Sequence, residues 1–97
     1  MNKPQQRAVP NSLRQFRRQR GLRQRDVAAI LEVKNASVIS RWESGDLVPD
    51  IVTLVKLAVL YRTMVDAMYL DLRLTMQKEI IKKEQRLTHD AGSDTNR

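Results

Sequence analysis

Cysteine is absent from the chain, which excludes disulfides and thiolate metal sites. Histidine occurs once, as His89 in a polar C-terminal stretch, so neither a zinc site nor a histidine-based catalytic pair has partners to be built from. The acids are scattered, and none lies at catalytic spacing from a histidine or a nucleophile. The chain is therefore read as non-enzymatic, with no catalytic residue, metal or cofactor. No apolar run approaches the roughly 18 residues that span a bilayer, and no signal-peptide pattern opens the sequence, so a cytoplasmic protein is expected. Aromatic residues are only 4% of the chain, and Leu, Val, Ile and Ala supply the apolar mass, which favours helices packed on helices. A length of 97 residues allows one domain with a small core.

Negative charge is the scarcest feature of the N-terminal segment. No acid precedes Asp26, whereas Lys3, Arg7, Arg14, Arg17, Arg18, Arg20, Arg23 and Arg25 do. The first 41 residues carry ten Lys/Arg against two acids, and the remaining 56 carry eight against nine, so the whole net charge of +7 belongs to the first part. Most of these cations are arginine, whose planar fork suits bidentate contact with phosphates and base edges. The pattern points to polyanion binding by the N-terminal half and a different task for the C-terminal half. The alternatives are a solvated surface or a membrane-surface patch. Against the latter, the arginine segment lacks the broad apolar face of an interfacial helix.

Periodicity and capping signals predict five helices. Residues 1–11, with two prolines, read as a flexible basic arm. The first helix starts at Asn11 or Ser12, either a good N-cap, and ends at Gly21, with Leu13, Phe16, Arg17 and Arg20 on one face. The second spans Gln24 to Leu31. The third runs from about Ala36 to Ser44, capped by Asn35 and stopped by Gly45, with Ile39 and Trp42 inward. Asp50 caps the fourth, whose inner face is Ile51, Leu54, Leu57, Ala58 and Tyr61. Thr63 and Asp66 form a capping pair for a fifth helix from Met64 to about Leu87. That helix carries one apolar stripe of Val65, Tyr69, Leu72, Met76, Ile80 and Leu87, with Leu70, Leu74 and Ile81 beside it. One small core cannot cover both. Residues 88–97 read as a disordered polar tail.

Two short helices joined by a tight turn, the second opening with small polar residues, fit a helix-turn-helix. The stretches "LRQFRRQRGLRQRDVAAIL" and "VISRWESGDLVPDIVTLVKLAVLY" resemble the lambda-repressor-like (Cro/CI, XRE) family over about residues 12–70. The resemblance implies an all-α, compact five-helix domain over residues 12–74, and the apolar stripe that one core cannot cover makes residues 75–87 a C-terminal helical extension expected to serve dimerisation. It implies that Gln24 contacts the DNA backbone and that Ala28 lets the second helix approach the third. Arg17 and Glu43 would form a partly buried salt bridge, and Trp42 would pack rather than stack on a base. Ala36, Ser37 and Arg41 would face the major groove, with Ser40 on phosphate or base. Arg41 is the foremost base-reading candidate, since arginine pairs bidentately with guanine, and a phosphate contact is its alternative.

The sequence departs from the family pattern in three places. Arg23 stands where a capping threonine is usual, and Glu32 where a turn glycine is usual. The turn itself is one residue longer, around Lys34, which bears on the register of base contacts.

The expected function is sequence-specific DNA binding by a transcriptional regulator, a repressor acting as a homodimer on a palindromic operator. Arg14, Arg18, Arg23, Gln24, Arg25 and Lys34 would hold the backbone, and the third helix would give specificity. Lys3 and Arg7 in the arm would reach the minor groove or lie along the backbone. Met76, Ile80, Ile81 and Leu87 would form the dimer interface. The alternative is a protein-docking module, or an antitoxin, that binds a partner protein through the C-terminal helix and autoregulates its operon.

Overall fold

The computed structural model describes residues 8–91, with side chains as far as His89. These residues form six helices: α1 (Leu13–Gln19), α2 (Gln24–Leu31), α3 (Ala36–Ser44), α4 (Ile51–Tyr61), α5 (Val65–Met68) and α6 (Leu70–Ala91). No strand occurs among the described residues. The fold is all-α with a long C-terminal helix, as expected from the sequence. Residues 1–7, which include Lys3 and Arg7 of the expected arm, and residues 92–97 of the expected tail lie outside the described residues.

Helices this short need their ends satisfied, because the first four N–H groups of a helix lack internal partners. At α1 the N-cap position is Ser12, which makes no side-chain cap bond, and the capping contact comes instead from Asn11. Its Oδ1 accepts from the Leu13 N–H at 3.0 Å, while its Nδ2 donates to the Trp42 carbonyl at 3.0 Å and so ties α1 to α3. At α2 an arginine side chain cannot accept from backbone N–H groups. The acid three residues on replaces it: Asp26 Oδ2 accepts from the Arg23 N–H at 2.8 Å. Asn35 Oδ1 accepts from the Ser37 N–H at 3.0 Å at the start of α3, and Asp50 Oδ1 from the Thr53 N–H at 2.8 Å at the start of α4. Gly45 ends α3 at φ +85°, in the left-handed region. Glu32 and Arg62 end α2 and α4 in that same region, at φ +58° and +59°, a conformation that costs a side-chain-bearing residue about 1 kcal/mol.

The core takes side chains from every helix before α6. Leu13, Val27, Ala28, Ile39, Trp42, Leu57, Ala58, Tyr61, Met68 and Tyr69 are buried in one cluster. Trp42 is a packing residue within it, and Ala28 is the small buried residue where α2 meets α3.

Several local expectations are revised. The single fifth helix is broken at Tyr69, whose φ −127°, ψ 45° lie outside the helical region. The break places both Met68 and Tyr69 in the core and redirects the chain into α6. Thr63 and Asp66 do not cap α5. Met64 occupies the N-cap without a side-chain bond, and Asp66 pairs with Arg73 at 2.8 Å instead. Ile51, expected inside, is exposed, as are Val52, Val55 and Val59. Helix α4 is apolar on nearly every side, so periodicity could not single out its buried face. Ala8 to Asn11 were expected in the arm, but the Val9 N–H donates to the Gly45 carbonyl at 3.1 Å and Asn11 Nδ2 to the Trp42 carbonyl at 3.0 Å. At the other end α6 continues past Leu87 to Ala91, into the expected tail.

Candidate nucleic-acid interface

Helix α3 is the centre of the candidate site. Ile39 and Trp42, three residues apart, fix its inner face in the core. The spacing then forces Ser37, Arg41 and Ser44, at i, i+4 and i+7, onto the opposite face, and all three are exposed. Ser40 lies beside them, half-buried, and Ala36 is half-buried at the first turn. Arg41 makes no ion pair with any described residue. The side chain best suited to read a base edge thus stands exposed and unpaired on the outer face of the helix.

The position of α3 is held by one carboxylate. Glu43 has a side chain only 1% exposed, and its two oxygens accept from three side chains. Arg17 of α1 binds it through two nitrogens, Nε to Oε2 at 2.5 Å and Nη2 to Oε1 at 3.1 Å. Gln24 Nε2 of α2 donates at 3.0 Å, and Arg14 Nε approaches at 3.4 Å. The remaining arm of Arg17, Nη1, donates to the Leu22 carbonyl at 2.9 Å, within the turn between α1 and α2. Burial by itself would raise the Glu43 pKa. The hydrogen bonds from Arg17 and Gln24 and the Arg17 charge outweigh it and hold the carboxyl below its ordinary range. The hydrogen bond to Glu43 in turn raises the Arg17 pKa against desolvation. Burial and the neighbouring Glu43 charge push the Tyr61 hydroxyl well above the usual phenol range, so this part of the core stays neutral apart from the pair. A charge pair this enclosed confers geometry more than stability. It fixes α1, α2 and α3 relative to one another.

The expected site residues divide into two groups. Arg18, Arg25, Lys34, Ser37 and Arg41 are exposed and project from α1, α2, the turn and α3. Arg23 is exposed too, with a long contact to Asp26 at 3.3 Å. Gln24 and Arg14 are drawn toward Glu43, so their polar nitrogens serve the scaffold as well as any ligand. Arg20, by contrast, is structural: its Nε donates to the Leu60 carbonyl at 3.0 Å and fastens α1 to the end of α4.

A polar groove lined by Ser12, Arg14, Gln15, Arg18 and Ser44 runs between α1 and the end of α3. Gln15 and Ser44 of this groove were missed by sequence reasoning. Ser44 was legible in principle, since it lies seven residues after Ser37 on the same helical face. No described group of three or more His, Cys, Asp or Glu side chains could hold a metal ion. No helix among the described residues is long and apolar enough to cross a membrane.

A family described as a helix-turn-helix domain matches residues 11–68, more than half of the chain and the whole of α1 to α5. No curated protein and no solved structure matches.

Proposed function

The chain belongs to the helix-turn-helix domain family, and from that premise we propose that it is a sequence-specific DNA-binding regulator. It acts as a homodimeric repressor on a palindromic operator, with α3 in the major groove. The observation that carries this reading is the contrast on the basic half of the molecule. One arginine, Arg17, is locked inside on Glu43, while Arg18, Arg25 and Arg41 stand exposed on α1, α2 and α3. Exposed cations grouped about a rigid helix serve phosphate neutralisation and base readout.

Arg18, Arg23, Arg25 and Lys34 hold phosphates, with Arg14 and Gln24 contributing from the rim of the Glu43 cluster. Ala36, Ser37, Ser40 and Arg41 face the bases. Such a partition of roles is the usual one, in which backbone contacts position the protein and base-edge contacts specify the sequence. The exposed apolar residues Met76, Ile80, Ile81 and Leu87 of α6 form the subunit interface. A two-fold dimer would then present two copies of α3 to successive major grooves, about 34 Å apart.

The test compares Arg41→Ala with Arg18→Ala on DNA selected from a random pool by the parent protein. Arg41→Ala should relax preference at one base pair per half-site, with a loss of about 1–3 kcal/mol in discrimination. Arg18→Ala should weaken all sequences alike and lessen the salt dependence. If the two variants lose the same discrimination, α3 is not the reading helix. If the parent selects no sequence at all, the docking-module reading replaces this one.

A further inference from the structure

Helix α6 presents a face that nothing among the described residues covers. Leu74, Met76, Ile80, Ile81 and Leu87 are 41–70% exposed, and every residue from Arg73 to His89 is exposed. The face has internal order. At helical spacing, Leu72, Met76, Ile80 and Leu87 form one apolar row, and Leu70, Leu74 and Ile81 form a second. Between the rows, at i, i+4 and i+11, run Arg73, Gln77 and Glu84. The midline of the apolar face thus carries a cation near the body and an anion near the far end.

That midline decides how a second copy can cover the face. In a parallel pair related by a two-fold axis, each midline residue meets itself. Arg73 would oppose Arg73 and Glu84 would oppose Glu84, inside a seam where charges are partly desolvated. In an antiparallel pair the order inverts. With the axis crossing near Lys78, Arg73 meets Glu84 of the second copy, and the same register brings Met76 against Ile80 and Leu74 against Ile81. Lys78 itself lies off the midline, beyond the Leu74 row. The Leu87 end of each helix then reaches Tyr69 and Leu72 of the other copy. These two residues, with Val48, Leu54 and Val65, line an apolar groove of about 540 Å³ at the root of α6.

We propose that α6 pairs antiparallel with α6 of a second copy, crossing near Lys78, with Arg73 against Glu84 across the seam. The proposal rests on the homodimer reading above and adds to it the polarity and register of the interface. Arg73 already pairs with Asp66 at 2.8 Å, and the five N–H donors of its guanidinium allow it to hold Asp66 and a second carboxylate together. The register also sets the spacing of the two bodies. Leu70 of one copy lies opposite a point about 16–17 residues along its own helix from Leu70 of the other, or roughly 25 Å at 1.5 Å per residue. The bodies therefore sit at opposite ends of the pair.

The chain has no cysteine, so each introduced thiol is unique. The experiment uses full-length Arg73→Cys and Glu84→Cys, each alone and mixed after exchange under reducing conditions, then oxidised. Sedimentation of both reduced variants checks that each still associates. If either fails, the charge-swapped double variant Arg73→Glu/Glu84→Arg is sedimented instead. The expected result is a covalent dimer from the mixture and none from either variant alone. A self-linked Glu84→Cys dimer would show a parallel pair, which overturns the polarity while leaving the homodimer standing. If the parent protein and the charge-swapped variant both sediment as monomers, the homodimer reading falls and the antiparallel pair with it.

Discussion

Helices α3 and α6 are the two helices to which the proposed function assigns contacts, and they are held in opposite ways. Helix α3 has nine residues, too few to persist alone in water, and is fastened at every point. Asn35 caps its start, Ile39 and Trp42 anchor its inner face, Glu43 ties it to α1 and α2, and the Gly45 carbonyl accepts from the Val9 N–H of the N-terminal segment. Helix α6 has 22 residues, and beyond Leu72 each of them through His89 is exposed. A short helix whose partners lie within the chain has a position determined by the chain. A long helix whose apolar face lies open has a position determined by whatever covers it. The difference separates what folding alone settles from what requires association.

The sharpest way to break the comparison is to unfasten α3. Glu43→Ala leaves Arg17, whose side chain is 10% exposed, with only the Leu22 carbonyl as partner. Breaking an enclosed pair from one side costs about 3–5 kcal/mol, a large share of the stability of a small domain. A thermal melt should show a drop of many degrees, and DNA binding should fall with the folded fraction. The same carboxylate gives a pH signature. Its pKa is held below the ordinary value in the folded state, so its contribution is fully present above the unfolded pKa of about 4.3 and is lost as pH falls through the folded value. Melting temperature should therefore decline below about pH 4, and Glu43→Gln should flatten that decline. An unchanged acid limb in Glu43→Gln would assign it to the capping acids Asp26 and Asp50, whose pKa values are lowered as well.

A smaller effect is expected at the other end of α3. Gly45 sits at φ +85°, and a Cβ there would overlap the Val9 carbonyl oxygen and lie 2.7 Å from the Val9 nitrogen. Gly45→Ala combines left-handed strain with the loss of that close approach, and should cost about 2 kcal/mol. Gly21 is the internal control. It has φ +72° but open space around it, so Gly21→Ala carries the strain alone and should cost about half as much. Equal losses in chemical denaturation would mean that the contact of Val9 with α3 contributes nothing.

How much of this was legible follows the same division. The spans of α2 and α3, the Asn35 and Asp50 caps, the Gly45 stop and the Arg17–Glu43 pair could all be read from local signals or from the family pattern. Each depends on residues whose partners stand at fixed places in the chain. The buried face of α4 could not be read, because Ile51, Val52, Val55 and Val59 satisfy the same apolar pattern as the core residues and only packing chooses between them. The break at Tyr69 was also hidden, since Met64 to Leu87 contains no glycine or proline, and it is accompanied by the burial of two adjacent large side chains, Met68 and Tyr69. The engagement of Gln24 by Glu43 was missed for a related reason. A glutamine at the start of α2 looks available until the third helix is in place beside it.

The smallest expected effect on folding lies at the far end of α6, and it separates the two helices most cleanly. Leu87 is 70% exposed, the most open of the large apolar side chains described on its helix, and it is not part of the core cluster. Leu87→Glu should therefore change the stability of the dilute monomer by no more than about 0.5 kcal/mol, the ordinary range for a surface substitution. Association is a different matter. A carboxylate at the seam replaces an apolar contact with a desolvated charge, twice per two-fold dimer. The parent melting temperature should rise with protein concentration, because a partner that binds only the folded state stabilises it by mass action. Leu87→Glu should lose that rise while matching the parent at the lowest concentrations. A variant that melts lower than the parent even when dilute would show that α6 is fastened to its own body after all, in the manner of α3.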